Sequence, residues 1–515
     1  MAHAKNQYDV IVIGSGLGGL SSAARLSRAG LKVRLLERHL QPGGYATTFY
    51  RDPYEFEVSL HELSGIGTHD SPGPLWKKLH KLGITDKVDF LPLPHLYRSV
   101  APEHGLDLRI PASRDGALEV LVDAFPRERP GLTRFFERIF AIQREIGAIR
   151  RRDNQPSVLQ ALTRYPAVSH AATVPLSALL YRELKDPLAR LAVGQIWSYF
   201  GLPPSRLSLV LFAGGLTSYL THGACYIKGK SQALSNAFTQ VIEQNGGEVA
   251  LGNGAARILS RDGRVTGIVT DGGEQLETNT VVANANPVTV ALDLIGGENL
   301  PGAFLKRLAL TEPSTSAVCV HLGMSRDRHE LGLQDQEVFI NGTVDLEQQY
   351  ADTRTTVPPD SLLLTAYNVA DAEFSPSGTA VVVLVALADG RIWQQVDPQD
   401  YPELKQRYAE QLVRRAGRLY PELPKSIEVV VVSTPITNMR YTGNIAGAIY
   451  GFANTPAENP AFRLQQPGPL EGLWFAGAWT RPGGGFEPVI SSGIAAAEAI
   501  LAARGMTAPG GQQAA

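Results

Sequence analysis

Three glycines, Gly14, Gly16 and Gly19, stand in the pattern G-x-G-x-x-G within "YDVIVIGSGLGGLSSAARLSRAG", directly after a short apolar run. That spacing suits phosphate chemistry. Gly14 permits a tight turn, Gly16 lets the backbone meet a pyrophosphate, and Gly19 lets a helix pack close to the preceding strand. Glu37, at the end of the next apolar run "LKVRLLER", can accept hydrogen bonds from a ribose diol and would repel a 2′-phosphate. Gly43 and Gly44 follow within "QPGGYATTF", and another glycine-rich stretch, "GAWTRPGGGFEPVISSG", occupies 477–493 ahead of "IAAAEAI". Alone, this last stretch reads as a surface turn before a terminal helix. Beside the first fingerprint it reads differently. A plain nicotinamide cofactor needs no second segment, whereas flavin adenine dinucleotide (FAD) extends well past one βαβ unit and does.

Flavin chemistry exchanges a hydride with substrate carbon and leaves one proton to be managed. His61 in "EVSLHELSG", Glu487 in the glycine-rich loop and Arg440 in "NMRYTG" are the catalytic choices. Each also has a structural reading: His61 as a satisfied core histidine, Glu487 as a partner of Arg481 or a helix cap, Arg440 as a surface ion-pair residue. Tyr226 and His222, near "THGACYIKG", are weaker choices of the same kind. No G-x-S-x-G elbow, H-E-x-x-H or Cys-x-x-Cys occurs, so hydrolytic and metal chemistry have no motif to rest on.

The elements that must carry these residues follow from periodicity. "YDVIVIG" and "LKVRLLER" read as buried parallel strands, with a small-residue helix between them closed by Gly30. Residues 75–155 read as mostly helical and charged, ending in the basic cluster of "REIGAIRRRDNQP", and 157–221 as helical and markedly apolar. "GEVALGNGAARILSRDGRVTGIVTDGGEQLETNTVVANA" alternates as a β-meander with turns at "RDGR" and "DGGE". "SAVCVHLGM", "SLLLTAYNV" and "GTAVVVLVALA" are strands of a second sheet. The expected fold is α/β: a doubly wound, Rossmann-like FAD domain built from discontinuous segments, with an inserted α+β substrate domain whose sheet is mixed or antiparallel. FAD-binding segments are assigned to 1–75, 222–300 and 436–505, a mainly helical substrate- or membrane-facing region to 76–221, the substrate-domain sheet to 301–435 and a disordered tail to 506–515.

Composition bounds the partners. The 515 residues carry 48 Lys+Arg against 50 Asp+Glu, a net charge of -2, which leaves no basic field for nucleic acid. The two cysteines, Cys225 and Cys319, suit a reducing compartment and read as core thiols. Without a signal-like N-terminus or an apolar run of spanning length, the expected location is cytoplasmic with peripheral membrane association.

At this point a resemblance is specific. "GSGLGGLSSAARLSRAGLKVRLLER", "PGGYATTFYRDPYEFEVSLH", "VVANANP", "STPITNMRYTGNIAGAIYGF" and "GLWFAGAWTRPGGGFEPVISSG" resemble, in order from end to end, the flavoprotein family of phytoene desaturases, carotenoid cis-trans isomerases and retinol saturases. "GLPPSRLSLVLFAGGLTSYLTHGACYIKG" is nearer its isomerase and saturase branch. The resemblance implies FAD contacts from Gly14, Ser15, Gly16, Gly18, Gly19, Glu37, Arg38, Gly43, Gly44, Gly477, Ala478, Pro488 and Val489, with Ala255 meeting the adenine through its backbone. It implies desaturation, saturation or cis-trans isomerisation of a long apolar polyene or other isoprenoid, with a quinone, oxygen or a carrier protein as electron partner. An amine oxidase and a non-catalytic FAD- or carotenoid-binding protein are the alternatives. Two departures from the family pattern stand out. Ala478 replaces an acidic residue, and Ile227 and Lys230 replace Pro and Gly of a Y-P-x-G-G motif, beside the expected flavin and substrate region.

Overall fold

The computed structural model describes residues 6–150 and 158–506; the expected tail beyond Met506 and most of the basic cluster after Arg150 lie outside them. Strand β1 (Val10–Ile13), helix α1 (Leu17–Ser27) and strand β2 (Val33–Leu36) form the first βαβ unit. All four residues of β1 are buried, as an unbroken apolar run covered on both faces requires. A five-stranded parallel sheet grows around it in the order Glu248–Ala250, β2, β1, Val281–Ala283, Leu473–Phe475. Its register aligns Leu36, Ile13, Ala283 and Phe475. Glu37, Gly14, Asn284 and Gly477 therefore leave the sheet at one edge, the carboxyl ends of its strands, where open α/β sheets bind ligands.

The terminal helix Phe486–Ala503 lies against α1. A Cβ on its Gly493 would come within 2.1 Å of the Gly18 carbonyl, so only glycine permits this approach. Among the described residues this is the one helix long and apolar enough to cross a membrane. Its buried stripe of Ile490, Gly493, Ala497, Ile500 and Leu501 has helical period and packs into the FAD domain, which accounts for its apolarity.

Seven strands form the second sheet, in the order Ile427–Ser433, Ser316–Met324, Ala380–Ala388, Leu362–Ala366, Glu337–Ile340, His95–Ala101, Leu106–Pro111. Only Glu337–Ile340 and His95–Ala101 pair in parallel; the other neighbours are antiparallel. Alternation along the strands separates two environments. Val318, Val320, Leu322, Val382 and Leu384 pack under the helix Tyr401–Leu419, while Ala317, Cys319, His321, Val383 and Val385 face an internal cavity.

Two stretches differ from the sequence reading. The region 76–221 is mainly helical among its described residues but also supplies the last two strands of this sheet, and Phe90–Leu93 joins a small three-stranded one. In this hairpin the charges pair across the strands: Arg98 and Asp107 stand 2.7 Å apart, with Gly105 at φ 67 in the turn. The region 222–300 holds a helix, Lys230–Gln244, before the meander Ala255–Arg261, Arg264–Thr270, Gln275–Glu277, whose first turn uses Asp262 and Gly263 at φ 50 and 75.

Candidate active site

A single continuous cavity of about 2420 Å³ runs from the carboxyl edge of the parallel sheet, across the open face of the seven-stranded sheet, into the helical region. That exceeds the roughly 300–1,000 Å³ of a drug-sized ligand site and leaves room for a dinucleotide and a second large molecule. Gly14, Gly16, Gly18, Glu37, Arg38, Gly43, Gly44, Ala255, Gly477, Ala478, Pro488 and Val489 all line it. Ser15 and Gly19 do not. Ser15 is buried, and its N–H and Oγ donate to Glu37 Oε2 at 2.8 and 2.6 Å, while His39 N–H donates to Oε1 at 2.9 Å. Ser15 thus orients the acid from behind. At Gly19 a Cβ would stand 1.9 Å from the Gly14 carbonyl, so this glycine serves helix-strand packing rather than the ligand.

The cradle fits FAD. A glycine, Gly16 or Gly485, occupies the N-cap of α1 and of the terminal helix, so no capping side chain takes their first-turn N–H groups, which stay available to an anion. Asn284 holds the glycines apart: a Cβ on Gly16, Gly18 or Gly477 would lie 2.8, 2.6 or 2.3 Å from its carboxamide. Within "VVANANP" no residue type singles out Asn284 for this role. Its signal was the position just after a strand, the same offset as Gly14.

His61 lines the cavity, its ring 4.6 Å from that of Tyr199 and its carbonyl held by Gln336. Burial lowers its pKa to about 4, so the imidazole is neutral at physiological pH. Its Nδ1 lies 3.5 Å from Glu337 Oε2. Glu487, in the first turn of the terminal helix, accepts from Lys78 Nζ at 2.6 Å and from Ser491 Oγ at 3.0 Å. A Cβ built on Gly65, four residues after His61, would lie 3.9 Å from Glu487 Cγ, so these two segments meet at the cavity. Arg440 is exposed at the cavity rim on the helix Pro435–Thr442, its guanidinium over the ring of Tyr441. His222 lines the wall, whereas Tyr226 lies behind it, donating to Glu57 at 2.8 Å.

Of the departures from the family pattern, Ala478 faces the cavity, but Ile227 and Lys230 do not. Ile227 is buried in the strand Ala224–Ile227. Lys230 takes the left-handed φ of 66 that a glycine would adopt freely, and its Nζ pairs with Glu55 at 2.9 Å. Their side chains therefore do not contact a ligand in the cavity.

The carboxyls that sequence reasoning missed are Glu62 and Glu337. Both are buried, 4% and 2% exposed, and none of their four oxygens has a hydrogen-bond partner of normal geometry. Burial raises both pKa values well above the usual carboxylate range, and Glu62 adds to the rise at Glu337. The hydroxyls of Tyr199 and Tyr219 oppose the rise at Glu62, and that of Thr365 at Glu337. Glu62 lines the cavity.

A parallel α/β domain with a glycine cradle at its carboxyl edge, joined to a sheet-roofed cavity, defines an FAD-dependent oxidoreductase. The family model for flavin containing amine oxidoreductases matches residues 17–501, and the chain belongs to that family. It is 25% identical to prolycopene isomerase 1 of an Oncidium hybrid cultivar, a chloroplastic protein, over 97% of this chain and 85% of that protein. It is 24% identical to all-trans-retinol 13,14-reductase of Danio rerio, over 91% of this chain and 82% of the relative. Among solved structures it resembles putrescine oxidase bound to putrescine, with TM-score 0.63 at 15% identity, covering 96% of this chain and 99% of the other.

Proposed function

We propose that this FAD-dependent enzyme acts on double bonds of a long apolar polyene, a carotenoid, retinoid or related polyprenoid, as an oxidoreductase or a redox-neutral isomerase. The observation that carries the reading is the volume and apolar lining of the cavity. Beyond the glycine cradle its wall continues through Phe200, Val210, Leu211, Gly214 and Tyr219 to Ile146 and Val168. A slender apolar chain fits such a space. A small cationic amine does not need it, and the likeness to putrescine oxidase is one of fold. The names of the isomerase and reductase relatives agree with the polyene reading.

FAD in the cradle supplies hydride exchange with substrate carbon. The chain's own residues do the rest: Asn284 and the two helix N-termini hold the phosphates, Glu37 the ribose, Ala255 the adenine, and the apolar wall excludes water and aligns the polyene. Electrons reach or leave the site through a quinone, oxygen or a carrier protein. Anaerobic incubation of oxidised and reduced enzyme with polyenes and with aliphatic amines, followed by product analysis, tests the reading; turnover of amines alone would overturn it.

Exposed Leu162 and Phe462, 58% and 57% accessible, belong to the outer part of the cavity wall. We place the substrate entrance there, against a bilayer in which polyenes dissolve. The enzyme is expected to float with liposomes, and a Leu162→Asp, Phe462→Asp double variant to remain in the soluble fraction with its flavin intact. Equal flotation of both proteins would move the entrance elsewhere.

His61→Gln and Glu487→Gln are each expected to keep the flavin spectrum while slowing polyene turnover by about 10²-fold, the low end for an acid-base group. Wild-type rates would return both residues to structural roles. Loss of FAD would make them cofactor supports.

A further inference from the structure

The geometry points to Glu62, buried on the cavity wall with Glu337 behind it, as an acid-base residue that meets the substrate. This rests on the polyene reading above and names the group that moves its proton. The two glutamates come from distant parts of the chain: Glu62 precedes the short strand Leu63–Ser64, and Glu337 opens Glu337–Ile340 of the second sheet. They are brought together where Gln336 grips the His61 carbonyl and His61 Nδ1 lies 3.5 Å from Glu337. Glu62 stands at the cavity wall near the hydroxyls of Tyr199 and Tyr219, with no hydrogen bond of normal geometry to either oxygen. Glu337 lies behind it, outside the wall.

Every group that faces the pair leaves the negative charge unmatched. Among the described residues, Tyr97, Tyr199, Tyr219, Cys225 and Glu337 feel Glu62, and Tyr199, Tyr219, Tyr367, Thr365 and neutral His61 face Glu337. None is a cation at neutral pH. Two carboxyls so placed cannot both ionise at ordinary cost, and the pair retains a proton that a lone exposed glutamate would have lost.

That proton faces a conjugated substrate. The Glu62 O–H bond breaks and a C–H bond forms from the π pair of one double bond, leaving a positive charge spread along the remaining conjugation and a carboxylate opposite it. In that cation the former double bonds lose order and the single bonds between them gain it, one former double bond rotates, and return of a proton to Glu62 restores the polyene. Atoms and electrons balance without an oxidant or reductant. Glu337 acts as a positioning residue, keeping Glu62 protonated between turnovers.

Two measurements on the FAD-loaded enzyme test this. The first is the equilibrium unfolding of wild type, Glu62→Gln and Glu337→Gln across pH 5–8. A carboxyl whose pKa is raised in the folded state stabilises below its unfolded value and loses that contribution as pH rises through the folded value, so each retained proton steepens the fall in stability by about tenfold in the unfolding constant per pH unit. Either glutamine variant is expected to flatten the wild-type slope by the proton the pair holds. The second is incubation with a polyene in D₂O: wild type is expected to place solvent deuterium on chain carbons, and Glu62→Gln to lose this label by at least about 10²-fold while retaining FAD. Glu337→Gln is expected to keep the label but shift its pH profile to lower pH. Parallel pH slopes, or full labelling by Glu62→Gln, would overturn the proposal. If wild type transforms no polyene while the slopes diverge, the substrate reading fails and the shared proton stands.

Discussion

Gly16→Val is expected to give a folded protein that no longer holds FAD. Gly16 has an ordinary backbone conformation, φ -58, so a side chain there does not strain the turn itself. What it changes is space. Its Cβ would stand 2.8 Å from the Asn284 carboxamide, and the neighbouring loop leaves no slack, since a Cβ built on Gly44 would lie 3.2 Å from the Gly16 Cα beside the Gly16–Gly43 bridge. The branched methyls of valine would then occupy the path that the pyrophosphate must take to reach the first turn of α1. A loss of at least 100-fold in FAD affinity, roughly 3 kcal/mol, is the expected size. Flavin absorbance of the purified protein, titration of FAD into it and far-UV circular dichroism together read the result. Native secondary structure without flavin supports the assignment, and a yellow variant with wild-type affinity would sink it. Gly19→Val is not an equivalent test, because its Cβ would collide with the Gly14 carbonyl and endanger the fold before the ligand is reached.

Gly214→Trp is expected to abolish turnover of long polyenes and leave the flavin in place. Gly214 lies on the cavity wall in the helix Leu209–His222, and a Cβ built there meets no heavy atom within 4 Å. Replacing a mid-helix glycine also lowers the entropy cost of the helix, so the fold does not oppose the change. The indole instead enters the space assigned to the substrate, away from the glycine cradle. Turnover of a long polyene should fall by about 10³-fold or more, equivalent to roughly 4 kcal/mol of lost transition-state binding. A shorter polyene that does not extend past this helix should be affected far less. The contrast between the two substrates separates a blocked channel from a damaged active site: equal losses on both would mean that the cavity beyond the flavin is not the substrate channel. The neighbouring Gly215 offers no such test, since its Cβ would press on the ring of Phe200 at 2.6 Å.

Much of the cofactor half was legible in the residues themselves. A G-x-G-x-x-G turn, an acid one strand later and a terminal glycine-rich loop are local patterns, each enforced by a backbone that must approach a phosphate or a helix closely, and local constraints leave their mark in adjacent residue types. The same holds for strands such as Ser316–Met324 and Ala380–Ala388, where valine-rich apolar runs announce a sheet. The hairpin His95–Pro111 was hidden because its charged residues pair across the strands, a partnership that sequence spacing alone does not distinguish from the exposed face of a helix.

What only the tertiary structure decided is which distant residues share an environment. Parallel register put Asn284, more than 250 positions from Gly14, into the middle of the glycine cradle. Packing of the second sheet against the segment after Tyr54–Glu57 buried Glu62 and Glu337 together, and placed Tyr226 behind the wall rather than on it. A glutamate in "LHELSG" looks like any surface carboxyl, because the free energy of a charge depends on the dielectric and the partners around it, and neither is written in its neighbours along the chain.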